Sequence, residues 1–325
     1  MKSLAENRLR SSGKIGFVKI AHRVAGLAFL VSLNCAVVGV ASAQSSRATL
    51  QFEATAPPSL ITHLGNISTR GQVQEGDDVM IGGFIITGVG PKRVIVRALG
   101  PSLANHGITP ALQNPTLELH DHTGRVIAFN DNWMDAPNRQ EIINSGLAPS
   151  NNLESAILMS LNPGSYTAIV RSFNIATGIG LVEAYDLDYT AGSKLGNMST
   201  RALVQTGESV MIGGFIIVNQ ATRVIIRAIG PSLTRLGVPD ALANPQLELH
   251  NANSLIARND DWQRTEIGGI ITSDQVAEIR STGLAPTNPA ESAIIATLQP
   301  GSYTAIVRGV NNTTGIALVE VYELQ

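Results

Sequence analysis

Cysteine is all but missing from this 325-residue chain, and the single one, Cys35, sits in the N-terminal apolar run. From residue 44 onward neither a disulfide framework nor a thiolate metal site is available, so the fold depends on a packed core. Aromatic residues make up 4% of the chain and charged residues 15%, well under the roughly 25% charged residues of an average soluble domain. Lysine is scarcer still: beyond the N-terminus only Lys92 and Lys194 occur. Leaving out residues 1–43, with their six basic side chains and one acid, 17 Lys and Arg face 24 Asp and Glu, a net charge of −7. A surface of that sign disfavours nucleic acid, heparin-like polymers and anionic lipid as partners.

Long apolar runs are also lacking, with one exception. Lys2, Arg8, Arg10, Lys14, Lys19 and Arg23 precede the stretch Val24 to Val40, which ends in Ala41-Ser42-Ala43. A basic region, an apolar region and an A-x-A site describe a signal peptide over 1–43, cut before Gln44. The expected location is therefore extracellular or cell-surface, for an exported protein with no membrane span after cleavage. A retained N-terminal anchor is the alternative, the run being at the lower limit for crossing a bilayer.

What the chain has in quantity is repetition. LGNISTRGQVQEGDDVMIGGFII, from Leu64, returns as LGNMSTRALVQTGESVMIGGFII from Leu195; RVIVRALGPSL returns as RVIIRAIGPSL, NPTLELH as NPQLELH, and PGSYTAIVR unchanged. The offset drifts from 131 to 137 residues, so insertions fall between motifs. The largest lies between the tryptophans and the second Leu-Ala-Pro, where TEIGGIITSDQVAEIRSTG is longer than its counterpart. Such a period is too long for a solenoid, and each copy is large enough for its own core. The expected organisation is a leader strand or linker (44–63), repeat 1 (64–190) and repeat 2 (191–325).

Within each copy, short β-branched runs bounded by Gly, Pro, Asn and Asp predict an all-β fold: two tandem β-sandwich, jelly-roll-like domains. In Thr116-Leu117-Glu118-Leu119-His120 the alternation turns Leu117 and Leu119 inward. Gly124 occupies a turn position that wants positive φ. Short helices are expected only at 138–144 and 273–280. The glycine pairs Gly82-Gly83 and Gly213-Gly214 mark a bulge or close sheet packing. The leader residues 47–54 alternate, which suits strand addition to a neighbouring chain and makes homo-assembly one expected partnership.

The second half of each copy, TLELHDHTGRVIAFNDNW…SAILMSLNPGSYTAIVRSF…GIGLVEAYDL, resembles the bacterial pre-peptidase C-terminal (PPC) domain, a small β-sandwich appended to exported proteins. The first half is similar to an uncharacterised tandem module of exported bacterial proteins. The resemblance implies an accessory binding or spacer role, in some members with calcium, and no catalytic unit.

Candidate sites are few. Asn130-Asp131-Asn132-Trp133 recurs as Asn259-Asp260-Asp261-Trp262. Clustered Asp and Asn on a tight loop supply hard oxygens for calcium, with Asp121 adding another in copy one; the same residues also cap turns through their own backbone. Trp133 and Trp262, beside acidic loops, are either sugar-stacking faces or plugs under a loop. Arg171 with Glu183, and Arg308 with Glu320, suggest cross-strand ion pairs, and Arg97 is a candidate partner of Glu118. Ser102 and Ser232 lie in Gly-Pro-Ser-Leu rather than in a nucleophile elbow. His120 and His250 lack the convergent ligands of a zinc site. The chain thus reads as a non-catalytic binding, adhesion or cell-surface structural protein. Its expected partner is an extracellular polysaccharide or a surface protein, and calcium is the one candidate cofactor. The alternative is a secreted hydrolase of glycan or peptide using acids around Asp131 and Glu154.

Overall fold

The computed structural model describes residues 63–324 except 77, 175, 190, 191, 208 and 253. The signal peptide and the leader segment 47–54 lie outside the described residues. Repeat 1 forms β1 (His63–Val73), β2 (Met80–Gly88), β3 (Lys92–Leu99), β4 (Pro115–His120), β5 (Val126–Asn130), β6 (Ser155–Leu161), β7 (Gly164–Ser172) and β8 (Gly178–Asp186). Repeat 2 forms β9 (Ser193–Val204), β10 (Met211–Val218), β11 (Thr222–Ile229), β12 (Pro245–Asn251), β13 (Ser254–Asn259), β14 (Ser292–Leu298), β15 (Gly301–Gly309) and β16 (Gly315–Glu323). Two one-turn helices, α1 (Arg139–Asn144) and α2 (Val276–Ser281), interrupt this all-β chain. Helix α2 starts later than its sequence suggests; just ahead of it Asp274 Oδ1 accepts the Thr265 hydroxyl at 2.6 Å and the Val276 N–H at 3.2 Å.

The strand pattern follows the alternation. In β2 every second residue from Met80 to Ile86 is buried, and Leu117 and Leu119 of β4 are fully buried. Gly124 has φ of 81° in the β4–β5 turn, whereas repeat 2 turns through Ala252 at φ 42°. Each repeat is a two-layer sandwich, with β6-β3-β8-β1 over β5-β4-β7-β2 and β14-β11-β16-β9 over β13-β12-β15-β10.

The two sandwiches are not separately closed. Strand β1 pairs antiparallel with β8 of its own repeat on one edge and with β10 of the other repeat on the other. Strand β9 does the same between β16 and β2. Each repeat thus lends its first strand to its neighbour's sheet, and a single apolar cluster runs from Leu64 to Val321 through both. Where β1 and β9 meet, they lie parallel with equivalent residues opposed, Leu64 with Leu195 and Gln72 with Leu203. Pairing of equivalents places a pseudo-two-fold axis between them. Near that axis the fully buried Thr69 and Thr200 hydroxyls share a hydrogen bond of 2.8 Å.

The glycine pairs serve this exchange. Gly83 and Gly214 lie opposite Ser199 and Ser68 of the incoming strands, and a Cβ at either would come within 2.6 Å of the serine Oγ. Of the two alternatives, bulge or close packing, close packing holds. Closer to the axis the repeats differ: Gly71 faces Ala202, its own counterpart, and a Cβ at 71 would sit 2.8 Å from the Ala202 Cβ. Gly71→Ala should therefore cost about 1–3 kcal/mol, as overpacking of a filled core does. Gly71→Ala/Ala202→Gly should recover most of that loss. Thermal melts of the two variants check this; a double variant no better than the single one would refute the contact.

Candidate functional site

One loop cluster in each repeat gathers most of the residues that sequence singles out. It is organised by Glu154 in repeat 1 and Glu291 in repeat 2, both fully buried. Glu154 Oε1 accepts the N–H groups of Gly100 and Ser102 at 3.0 Å and the Ser102 hydroxyl; Oε2 accepts the Asn151 N–H at 3.3 Å. Glu291 repeats the set with Gly230 at 3.1 Å, Ser232 N–H and hydroxyl at 2.8 Å, and Asn288 at 3.2 Å. A carboxylate so engaged is a loop clamp: charged acceptors for backbone N–H groups are strong and costly to lose. The Ser102 and Ser232 hydroxyls are donors into that clamp.

The next residue continues the work. The single Ser155 O–H points among the Pro115 and Asp131 carbonyls, 2.6 and 2.7 Å from its Oγ, and that of Ser292 among those of Pro245, Asn259 and Asp260, each hydroxyl donating to one acceptor at a time. Asn130 Oδ1 accepts the Ala156 N–H at 2.9 Å, and its amide donates to the Asn132 carbonyl at 3.0 Å. Asn259 accepts from Ala293 at 3.0 Å and donates to Asp261 and Arg264 carbonyls. Both asparagines therefore bind backbone, the turn chemistry of the two readings. Burial and the neighbouring Asp135 carboxylate push Asp131 up from the ordinary carboxylate range; burial, Asp261 and Glu266 do the same to Asp260. Asp121 lies in the β4–β5 turn, where its Oδ1 accepts the Thr123 N–H and hydroxyl. Among the described residues no group of three or more His, Cys, Asp or Glu converges as a metal site.

The tryptophans are interior. Trp133 is 7% exposed and Trp262 5%, each packed in a small core beneath the loop. Each indole N–H donates to a loop carbonyl at 3.1 Å, Asn151 for Trp133 and Asn288 for Trp262. Neither ring presents a face on which a sugar can stack.

Arginine pairing differs from the sequence expectation. Glu183 pairs with buried Arg97 rather than Arg171, and Glu320 with Arg227 rather than Arg308. Arg97 Nη1 also donates to the Leu147 carbonyl at 2.6 Å, its guanidinium lies 5.1 Å from the Tyr185 ring centroid, and Tyr185 donates to Glu183 at 2.8 Å. Repeat 2 duplicates this with Leu284, Tyr322 and Glu320. Burial, with Glu320 beside it, pushes the Tyr322 hydroxyl up to about 12. Glu118 instead holds His120 at 3.0 Å, and Glu248 holds His250 at 3.2 Å. The signal for these clamps was in the repetition: Glu-Ser at 154–155 and 291–292 persists between loops that otherwise differ.

Arg171 and Arg308 mark a second place, Arg308 lying 3.8 Å from the Glu248 carboxylate. Arg171 and Arg308, at the ends of β7 and β15, donate to the carbonyls of Gly76 and Gly207 in the β1–β2 and β9–β10 turns. In repeat 2 this contact floors a groove of about 320 Å³, lined chiefly by Gln205, Thr206, Gln246, Arg308, Asn311 and Asn312. Asn311 and Asn312 are both left-handed, at φ 56° and 59°, a conformation asparagine tolerates better than most residues. At the position of Val310, repeat 1 carries Phe173, 58% exposed. A second groove, also about 320 Å³, runs between Leu255–Arg258 and Glu266–Gly269 of the repeat 2 insertion.

No protein-family model and no curated protein matches the chain. Among solved structures it is similar to PNGF-II, crystallised in the P21 space group, at 11% identity and a TM-score of 0.22. That match covers 83% of this chain and 62% of PNGF-II, so the chain spans less than two thirds of that protein. It is also similar to the major capsid protein P2 of bacteriophage PM2, at 8% identity and TM-score 0.18, covering 79% and 98%.

Two predictions follow from the loop cluster. Glu154→Ala leaves two buried N–H groups, one half-buried N–H and a hydroxyl without their acceptor, and should cost at least about 2–3 kcal/mol in a urea melt. Asp121 is held down to about 2 by the Thr123 hydroxyl and the N–H groups of Thr123 and Arg125. A depressed acid contributes stability present above its unfolded pKa of about 3.9 and lost as pH falls through the folded value. Asp121→Asn should thus lower Tm at pH 7, with the difference from wild type closing between about pH 4 and pH 2.

Proposed function

We propose that this is an exported, non-catalytic protein that binds extracellular polysaccharide through the groove beside Arg308. The observation that carries the reading is the repeat 2 groove itself: amide and hydroxyl side chains converge around one cation on a concave surface. Paired amides match the vicinal hydroxyls of a sugar ring, offering a donor and an acceptor together. Phe173, exposed at the repeat 1 position equivalent to Val310, supplies a ring on which a pyranose can stack, one of the two roles the sequence left open for Trp133 and Trp262. The resemblance to PPC domains, accessory to exported proteins, supports the same reading. So does the engagement of Glu154, Glu291, Ser102 and Ser232 in backbone clamps rather than at an open cleft.

Among the described residues no helix is long and apolar enough to cross a membrane.

The experiment is a thermal melt of the protein with a panel of soluble polysaccharides, with calcium, and with EDTA. A ligand at a hundredfold excess over Kd stabilises by about 2.7 kcal/mol, an upward shift of several degrees. The expected result is a shift with one polysaccharide, lost in Gln246→Ala/Asn311→Ala and reduced in Phe173→Ala. A shift that survives those substitutions, or none with any glycan, would overturn the assignment. Calcium that raises Tm only while Asp131 and Asp260 are intact would return the acidic loops to the metal reading.

A further inference from the structure

Pairing through β1 and β9 leaves two continuous sheets, β6-β3-β8-β1-β10-β15-β12-β13 and β14-β11-β16-β9-β2-β7-β4-β5. Among the described residues, three of their four outer edges are covered by the chain itself. On β14 the Gln275 side chain takes the place of a neighbouring strand. Its amide donates to the Ile295 carbonyl at 2.6 Å, and its oxygen accepts the Ile295 N–H at 3.1 Å. On β6 the Asn138 amide donates to the Leu158 carbonyl at 2.8 Å. On β13 the repeat 2 insertion lies alongside: the Ile270 N–H donates to the Ile256 carbonyl at 2.9 Å, and Arg258 meets Glu266 at 2.8 Å. Strand β5 is the fourth edge, and from Val126 to Phe129 its one ladder partner is β4. Phe129, the counterpart of Arg258, is 58% exposed, and Val126 is 49% exposed. An open edge of this kind invites pairing and is normally covered.

We propose that the leader segment 47–54 of the same chain, which lies outside the described residues, adds to β5 as an antiparallel strand. This is independent of the polysaccharide reading. The segment alternates as an edge strand does, with Leu50 and Phe52 on one face and Thr49, Gln51 and Glu53 on the other. Topology brings its end to the right place. Strand β1 runs parallel to β9, and the antiparallel steps β9-β2-β7-β4-β5 return β5 to the same direction. Both β1 and β5 therefore begin at the end of the sandwich that carries the β4–β5 turn. A strand antiparallel to β5 finishes at that end, where residues 55–62 lead on to His63. Eight extended residues reach about 27 Å. Crossing four strand spacings and one sheet spacing, from outside β5 to β1, takes about 22 Å. Pro57 and Pro58 suit that crossing, since proline donates nothing to a ladder and favours extended chain. So short a tether gives the segment an effective concentration in the millimolar range at its own edge, ahead of a neighbour's.

The test uses the full chain carrying Cys35→Ser, so that any thiol is an introduced one. Exposed Phe129→Cys is combined in turn with a cysteine at each position from 49 to 54, and the protein is oxidised. The expected result is a disulfide within the chain at alternate positions, at least tenfold above the positions between, with elution as a monomer. Equal yields at all six positions, disulfides between chains, or none at any position would overturn the proposal. Hydrogen exchange gives a second reading with Phe129 intact. The alternation that turns the Ile256 carbonyl outward in repeat 2 turns the equivalent Phe129 N–H to the open side of β5. Leu50→Pro/Gln51→Pro removes a ladder donor whichever of the two faces β5. It should speed exchange of the Phe129 amide at least tenfold, while amides of the central strand β3 keep their rates. A Phe129 amide that exchanges equally fast with and without the prolines refutes the docking.

Discussion

Everything in this structure depends on the crossing of β1 and β9. Each strand is hydrogen-bonded on both edges, to the last strand of its own repeat and to the second strand of the other. That arrangement hides strand edges that separate sandwiches would leave open, a recurrent hazard of β-proteins. It also merges two cores into one apolar cluster. The cost is steric: a Cβ at 83 or 214 would push the facing serine hydroxyl aside, and one at 71 would crowd the Ala202 methyl.

Interior polar groups follow a matching economy. Glu154, Glu291, Arg97 and Arg227 are charged side chains placed inside, and each is tied to backbone groups or to a counter-ion. Buried charges persist only under such conditions. Even the rare lysines obey: Lys92, almost fully buried, meets Asp186 at 2.9 Å, and Lys194 meets Glu323 at 2.7 Å. These ties fasten the Gly-Pro-Ser-Leu, Gly-Leu-Ala-Pro and Asn-Asp loops to the sandwiches. The chemistry left at the surface is that of the turns beside Arg171 and Arg308.

Legibility in the sequence divides along the same line. Duplication, all-β class, inward Leu117 and Leu119, and the positive φ of Gly124 were readable because each rests on local pattern or on one residue's conformational limits. The tryptophan and asparagine loops were readable as features but ambiguous in role. A buried plug and an exposed platform share the same local sequence, and only neighbours distant along the chain separate them. Arg171 with Glu183 illustrates the failure. Their spacing suggested a hairpin pair, but β8 runs beside β1 and β3 rather than β7, so Glu183 meets Arg97.

By itself, then, the sequence determined what is local: short alternating strands, turn residues, two copies of one motif, and a chain with no cysteine after Cys35 to cross-link it. The tertiary structure decided which copy completes which sheet, which arginine meets which glutamate, and whether a tryptophan faces core or solvent. Strand pairing is set by edges brought together over more than a hundred residues. A pattern with a period of two names the face a side chain takes, but not the strand that will lie beside it.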